Sequence, residues 1–211
     1  MFNGQWSMKK ILSILLCFCS ALTTAAQRDA IDEICKASQA VSTVQADFTQ
    51  TKKQKMLSEA MTSKGKMWCT QPNLLRWEYT SPYPSAFILN NGKVLLSKGE
   101  RGRVISVNRS KMLRQITRLM IPNGLGKCLT DENDFKVSVE TRANQHILTL
   151  LPQSKELEQL FTRIILYYDR RQSFVTKVEM YEKNGDNSII ELNNIKTNAT
   201  ISESVYTLNG K

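Results

Sequence analysis

Residues 65–84 read Gly-Lys-Met-Trp-Cys-Thr-Gln-Pro-Asn-Leu-Leu-Arg-Trp-Glu-Tyr-Thr-Ser-Pro-Tyr-Pro, and they are the most informative segment of this 211-residue chain. Their order is that of a strand, a Pro-Asn turn, a second strand and an exit marked by proline. In the second strand Leu75, Trp77 and Tyr79 alternate with charged residues, the period of two expected of a strand buried on one face. Three large apolar side chains are therefore predicted to share one face of a sheet.

The same kind of alternation continues on both sides of this hairpin. Asn91-Gly92 is a strong hairpin signal because both residues tolerate a positive φ. Consecutive strands with short links predict an antiparallel meander. A helix is predicted before them, from Asp29 to about Val41. The predicted strands are Val44–Thr51, Met61–Cys69, Leu74–Tyr79, Ser85–Leu89, Lys93–Leu96, Arg103–Val107, Phe135–Thr141, Ile147–Leu151, Phe161–Tyr168, Val175–Tyr181 and Ser188–Ile195.

A helical insertion interrupts the meander between Ser110 and Leu129. Its apolar side chains share one helical face and its polar side chains share the opposite face, the pattern of a helix packed on a sheet. The sequence Pro122-Asn123-Gly124 is predicted to end this helix. The apolar face comprises Met112, Leu113, Ile116, Leu119 and Met120, and the polar face comprises Lys111, Arg114, Gln115 and Arg118.

The first residues predict export. Met8-Lys9-Lys10 is a basic start, residues 11–22 are apolar, and Thr24-Ala25-Ala26 is a small-residue cleavage site, the order of a secretory signal peptide. The apolar stretch is too short to span a membrane. We expect translation to start at Met8 and cleavage before Gln27, which leaves residues 27–211 as a single domain.

The charge and the reactive side chains exclude several function classes. Without residues 1–26 the chain keeps 27 basic and 19 acidic residues, a net charge of +8, but lacks the basic, aromatic runs of single-strand nucleic-acid binders. Cys35, Cys69 and Cys128 form neither a redox pair nor a metal-ligand spacing, and they permit one disulfide with a free thiol or three buried thiols. His146, the only histidine, has no nucleophile motif beside it. The sequence therefore predicts neither catalysis nor a metal or cofactor.

Several segments together resemble a known family. A Gly-x-x-Trp strand followed by Pro-Asn-Leu-x-x-Trp occupies residues 65–77, Ala46-Asp47-Phe48-Thr49-Gln50 precedes it, and Asn91-Gly92-Lys93 follows it. This combination is similar to the periplasmic outer-membrane lipoprotein carriers (LolA-like). The resemblance implies a mainly β fold, an open, curved antiparallel half-barrel with an N-terminal helix and a short helical lid.

The resemblance also implies a role and a site. The protein is expected to be a monomeric periplasmic chaperone that carries acylated lipoproteins from an inner-membrane lipoprotein-releasing transporter to an outer-membrane lipoprotein receptor. The acyl chains would lie against the apolar sheet face, although each predicted lining residue could equally be ordinary core. The predicted cavity lining is Phe48, Met67, Leu75, Trp77, Tyr79, Phe87 and Leu89, and the predicted lid residues are Met112, Leu113, Ile116 and Met120.

One position departs from the family pattern. The best-known carriers of the family have an arginine immediately before the Pro-Asn turn that bonds to the lid, and Gln71 stands there in this chain. Glutamine carries no charge, so its bond to the lid would be weaker by about 1–2 kcal/mol at most. Either the lid is held less firmly, or another group such as Arg76 or Arg101 takes over.

Two other function classes remain open. The first is a binding module of the same fold for another lipid or for envelope-stress sensing. The second, an enzyme acting on lipids, requires a nucleophile with its base or a carboxylate pair in a pocket. Asp131, Glu132 and Asp134 form the only tight acidic cluster in the sequence, and a solvated loop explains them better.

Overall fold

The structure, a computed structural model, describes residues 25–208 except residues 100 and 132. The predicted signal peptide lies outside the described residues, apart from its last two residues, which lie in the first helix. Glu132 of the acidic cluster is also outside them. None of the helices among these described residues has the length and hydrophobicity of a membrane-spanning helix.

Eleven strands form one sheet, and each of the predicted strands is confirmed with ends that differ by no more than two residues. Alternating apolar side chains bury one face of each strand, which is why the period of two located them. The strands are β1 Thr43–Lys53, β2 Met61–Thr70, β3 Leu74–Ser81, β4 Ser85–Asn90, β5 Lys93–Lys98, β6 Arg101–Ser106, β7 Phe135–Arg142, β8 Gln145–Pro152, β9 Phe161–Asp169, β10 Phe174–Glu182 and β11 Asn187–Thr197.

The sheet is antiparallel throughout and open. Its strand order is β6-β5-β4-β3-β2-β1-β11-β10-β9-β8-β7, so the first and last strands pair in the middle, with Phe48 opposite Leu192. The edge strands β6 and β7 do not pair with each other, and the predicted open half-barrel is confirmed. The segment between β6 and β7 must run from one edge to the other, and it does so across the inner face, the face that carries the helices.

Four helices accompany the sheet. Helix α1 comprises residues 25–40, α2 Lys111–Met120, α3 Pro122–Thr130 and α4 Lys155–Glu158. The sequence analysis missed α4, a single turn after β8. It also missed the 3-10 turns Val107–Arg109 and Glu203–Tyr206. Such one-turn elements bury too few residues to give a periodic signal.

The predicted end of the insertion helix at Pro122-Asn123-Gly124 is confirmed, since α2 ends at Met120 and Ile121 is extended (φ −107°, ψ 131°). The prediction missed that Pro122 begins a second helix. Proline suits the first turn of a helix because its missing N–H would have no intrahelical partner there. Gly124 lets α3 approach α2 closely, since a Cβ at this position would collide with the backbone of Arg118.

The core lies on the inner face in two clusters. The first surrounds Phe48 and Leu75 on β1–β5 and β11. The second joins Ile34 of α1 and Leu125 of α3 to β7–β10. Helices α1 and α3 therefore pack over the half of the sheet that is farther from β3.

The C-terminal segment covers part of the outer face. Tyr206 is almost fully buried there, and its hydroxyl lies 2.8 Å from Thr70 Oγ1. Arg76 donates from Nη1 to the carbonyl oxygen of Val205 at 3.1 Å. Arg76 thus lies on the face opposite the insertion, and it does not take over a contact to the lid.

Candidate functional site

A cavity of about 330 Å³ lies between the inner face of the sheet and the helical insertion. We call α2 and α3 together the lid, because they roof this cavity. Nearly all of the lining side chains are apolar. The strands contribute them at alternate positions, as Trp77 and Tyr79 do on β3 and Val178 and Met180 do on β10.

Four of the seven residues predicted to line a cavity do line it. They come from three neighbouring strands: Met67 on β2, Trp77 and Tyr79 on β3, and Phe87 on β4. The register places Met67 opposite Trp77, and Trp77 opposite Phe87. The signal in residues 65–84 therefore located one wall of the cavity.

The other three predicted residues belong to the packed core beside the cavity, which corrects the predicted lining. Phe48 is covered by two of the lining rings, since its ring stacks on Trp77 at 4.2 Å and meets Tyr79 edge-on at 5.1 Å. Leu75 and Leu89 face each other across β3 and β4 and are 0% and 5% exposed. Alternation assigned these residues to the correct face, but it cannot separate side chains that are covered from those that border a void.

The sequence analysis missed the opposite wall of the cavity, which is formed by β9, β10 and β11. The apolar alternation of these strands predicted that they are strands. It did not predict that they face β3 across the cavity. The residues of this wall are Phe161, Ile164, Leu166, Phe174, Val175, Val178, Met180, Ile190 and Leu192.

The lid prediction is met in part. Ile116 and Met120 line the cavity, and Leu113 packs against the core cluster around Phe48. Met112 is 36% exposed and lies outside the lining. Met112 lies in the first turn of α2. The remaining lid residues of the lining are Leu119, Ile121, Pro122 and Leu125, from the end of α2 and from α3.

One end of the cavity carries a polar pair. The Tyr79 hydroxyl donates to Gln50 Oε1 at 2.5 Å, and Gln50 itself lines the cavity. Burial raises the pKa of Tyr79, so its phenol stays neutral and keeps the proton that it donates. Gln50 Nε2 also donates to Ser188 Oγ at 3.4 Å, and the pair adds no charge to the lining.

Gln71 does not contact the lid, which corrects its predicted role. Its Nε2 donates to the carbonyl oxygen of Ser38 at 3.0 Å and also to that of Val41. These carbonyls lie at the C-terminal end of α1, where helix carbonyls have no intrahelical partner. Gln71 therefore caps α1. Arg101, the other proposed substitute, is exposed on the edge strand β6.

The lid is held instead by a buried polar cluster that the sequence analysis assigned wrongly. The sequence pattern predicts Gln115 on the solvent face of α2 and Asp134 in a solvated loop, but these residues are only 3% and 6% exposed. Gln115 Nε2 donates to Asp134 Oδ1 at 2.6 Å and to Ser154 Oγ at 3.0 Å. Arg118 Nη1 donates to the second Asp134 oxygen at 3.2 Å. These bonds fix α2 to the start of β7 and to the residue that precedes α4.

A second polar cluster fixes α1. His146, only 2% exposed, hydrogen bonds through Nδ1 to the hydroxyl of Thr141 at 2.9 Å, and its Nε2 lies 3.4 Å from Glu33. Arg170 donates twice to the Glu33 carboxylate, at 2.8 and 2.9 Å. Hydrogen bonding to Arg170 holds the pKa of Glu33 below its usual value. His146 thus has a structural place between α1 and the sheet.

Two of the cysteines are free thiols. The structure leaves Cys35 and Cys69 unpaired, so they do not form a disulfide with each other. Burial raises the pKa of Cys69 to about 12. Its thiol is therefore protonated at neutral pH and serves as a small hydrophobic group.

Comparison with known sequences shows to which protein family the chain belongs. The sequence model described as "Outer membrane lipoprotein carrier protein LolA" matches residues 39–209. The chain belongs to the LolA family. Two relatives named outer-membrane lipoprotein carrier protein are distant. The one from Legionella pneumophila (strain Lens) is 26% identical over 170 residues, 81% of this chain and 80% of its own. The one from Methylococcus capsulatus is 23% identical over 164 residues, 78% of this chain and 76% of its own.

Solved structures resemble this fold at low sequence identity. The crystal structure of MucB matches with a TM-score of 0.50 at 11% identity, covering 87% of this chain and 62% of MucB. A LolA superfamily protein from Nitrosomonas europaea matches with a TM-score of 0.45 at 9% identity, covering 83% of this chain and 96% of its own. The resemblance seen in the sequence is confirmed by the family match, and the open antiparallel sheet has the fold that it implies.

Proposed function

We propose that this LolA-family protein is a periplasmic chaperone that holds lipoprotein acyl chains in the cavity under the lid. It would carry them from the inner membrane to the outer membrane. The observation that carries the proposal is the apolar cavity of about 330 Å³. Membership of the carrier family supports the same role. In this proposal the protein binds its cargo and performs no chemistry on it.

Apolar burial supplies the affinity for cargo. Each methylene removed from water is worth about 0.8 kcal/mol, so one acyl chain gains several kilocalories per mole. On the lid side the cavity is lined by Ile116 and Met120. An acyl chain would replace their contacts with the sheet and displace the lid outward. The flexible thioether of Met120 suits a surface that must fit chains of different shape.

Transfer direction follows from affinity. A carrier without an energy source can only move cargo toward a partner that binds it more tightly. The protein would therefore receive lipoproteins from an inner-membrane lipoprotein-releasing transporter and yield them to an outer-membrane lipoprotein receptor. It would act as a monomer, after removal of the signal peptide before Gln27.

The first test identifies the cargo. The exported protein is purified from the periplasm of its own host and analysed by native mass spectrometry. A lipoprotein bound at one-to-one stoichiometry supports the carrier role. A free phospholipid, without lipoprotein even when the outer-membrane receptor is blocked, would instead favour the alternative of a binding module for another lipid.

The second test assigns the site. Trp77→Glu places a charge in the lining, and we expect it to abolish binding of a fluorescent long-chain fatty acid, because an unpaired carboxylate is costly in an apolar cavity. Ile116→Glu should do the same from the lid side. Leu151→Glu is the matched control, since Leu151 is an exposed apolar residue on β8 and alternates with the buried Leu150. Circular dichroism checks that each variant is folded. Normal binding by the folded Trp77→Glu and Ile116→Glu variants would show that the acyl chain does not bind in this cavity.

A further inference from the structure

Two neighbouring loops expose apolar side chains at one end of the sheet. One loop joins β1 to β2, and the other joins β3 to β4. Met56 is 95% exposed, Tyr83 71%, Leu57 51% and Met61 46%. We call these four side chains the apolar tip.

The apolar tip is a cluster. Eight large hydrophobic side chains are exposed in the described part of the chain, and four of them lie in or beside these two loops. Strands β2 and β3 are paired, with Lys64 opposite Ser81, so Met61 and Tyr83 extend from adjacent strands at the same end of the sheet. Single exposed apolar residues are ordinary, whereas a cluster marks an interaction surface.

Hydrogen bonds hold the longer loop in this position. The Lys55 N–H donates to Asp186 Oδ1 at 3.0 Å, and the Leu57 N–H donates to the carbonyl oxygen of Gln54 at 3.0 Å. Asp186 is buried in the β10–β11 turn, which anchors this contact. The loop therefore presents Met56 to solvent while its backbone is tied to the sheet.

The surroundings of the apolar tip are basic. Lys53, Lys55 and Lys64 are all exposed, and Glu59 is the only acidic residue in the segment they bound. The carboxylates of the neighbouring β10–β11 turn are already paired with Lys52. An anionic surface would therefore meet several lysines with little opposing charge.

We propose that the apolar tip docks the protein on the surface of an anionic phospholipid bilayer. Apolar side chains ringed by lysines match such a surface, because the side chains enter the boundary between headgroups and acyl chains while the lysines face anionic headgroups. The tip offers only four side chains, so the docking is weak and reversible.

The apolar tip adjoins the cavity. The lining residues Gln50, Tyr79 and Phe161 lie near the ends of β1, β3 and β9 that are on this side of the sheet. Docking would bring this end of the cavity close to the bilayer. That consequence rests on the proposed carrier function, whereas the docking itself does not.

Vesicle flotation tests the docking. Exported protein is mixed with vesicles of phosphatidylglycerol and phosphatidylethanolamine, or with neutral phosphatidylcholine vesicles. We expect it to float with the anionic vesicles and to be released by added salt. Met56→Ser combined with Leu57→Ser should abolish flotation. The matched control, Leu96→Ser combined with Val104→Ser, changes two exposed apolar residues on β5 and on the edge strand β6 and should leave flotation intact.

A lysine pair separates docking from cargo binding. Lys53→Gln with Lys55→Gln should weaken vesicle binding by about fivefold per lysine, while fluorescent fatty acid binding stays unchanged in every tip variant. Docking without fatty acid binding would defeat the carrier function and leave this proposal standing. Equal flotation with neutral vesicles would overturn the proposal. So would a dimer, detected by analytical ultracentrifugation, that the double serine variant dissociates, since a second copy would then occupy the tip.

Discussion

At the scale of single residues, Gly65 determines where the aromatic wall of the cavity stands. A Cβ at this position would collide with the carbonyl oxygen of Glu78 and with the ring of Phe48. That ring supports Trp77 and Tyr79 from behind. We expect Gly65→Ala to lower the free energy of unfolding by about 1–3 kcal/mol, as overpacking does in other cores, and to weaken fatty acid binding. Urea denaturation and a fluorescence titration measure the two effects.

The matched control for Gly65→Ala lies in the same strand. Thr62 is exposed on β2, so Thr62→Ala should change neither stability nor binding appreciably. An unchanged denaturation midpoint for Gly65→Ala would show that Phe48 and β3 can move away from an added Cβ without loss of stability. Close packing around Gly65 would then not determine the position of Trp77 and Tyr79 in the cavity wall.

At the scale of elements, the attachment of α2 controls access to the cavity. Asp134 accepts hydrogen bonds from both Gln115 and Arg118. Asp134→Ala would leave the buried Gln115 amide short of an acceptor, a cost of about 1–3 kcal/mol. We expect amide hydrogen exchange in α2 to become about ten- to a hundredfold faster, and fatty acid to enter the cavity faster.

The control for Asp134→Ala is an exposed ion pair that joins α2 to α4. Lys111 bonds Glu156 at 3.0 Å, and both side chains are largely exposed. Lys111→Ala should hardly alter exchange in α2, because exposed ion pairs contribute little. If Asp134→Ala exchanged no faster than Lys111→Ala, the apolar contacts of the lid would be sufficient to hold it, and the polar cluster would not be its latch.

The elements also show how far sequence reasoning reaches. Alternation found all eleven strands, because each strand buries one face whatever its partner is. It found one wall of the cavity for the same reason, through Trp77 and Tyr79. It could not find the opposite wall, because which strands face each other depends on the pairing of β1 with β11, a contact between distant parts of the chain.

Helical periodicity failed in a different way. Gln115 is polar and falls opposite the apolar face of α2, so its exposure was the natural expectation. Its burial depends on hydrogen bonds to Asp134 and Ser154, which lie outside the helical insertion and come close to Gln115 only in the folded protein. Gln71 likewise finds its partners at the end of α1, so the role of an arginine at that position could not be transferred to it by alignment of a motif.

At the scale of the whole molecule, a buried carboxylate on the outer face of the sheet makes the stability of the folded protein depend on pH in the acid range. Glu179 on β10 accepts hydrogen bonds from the hydroxyls of Tyr167 and Tyr181, both at 2.9 Å. Lys177 lies 2.7 Å from the same carboxylate. Burial alone would raise the pKa of Glu179. These hydrogen bonds together outweigh that effect and hold the pKa below the usual value of 4.5.

A lowered pKa fixes the direction of the pH dependence. As pH falls below 4.5, the unfolded chain takes up a proton at Glu179 before the folded protein does, so the stabilisation present at neutral pH is lost as pH falls through the folded pKa. Tyr167→Phe with Tyr181→Phe raises that pKa. It should therefore lower the free energy of unfolding at pH 7 by about 1 kcal/mol per lost hydrogen bond and flatten the decline of that free energy as pH falls below 4.5. Urea denaturation across this range measures both, with Tyr83→Phe, in an exposed loop, as control. A double variant whose curve runs parallel to that of the original protein would show that the two hydroxyls do not set the charge of Glu179.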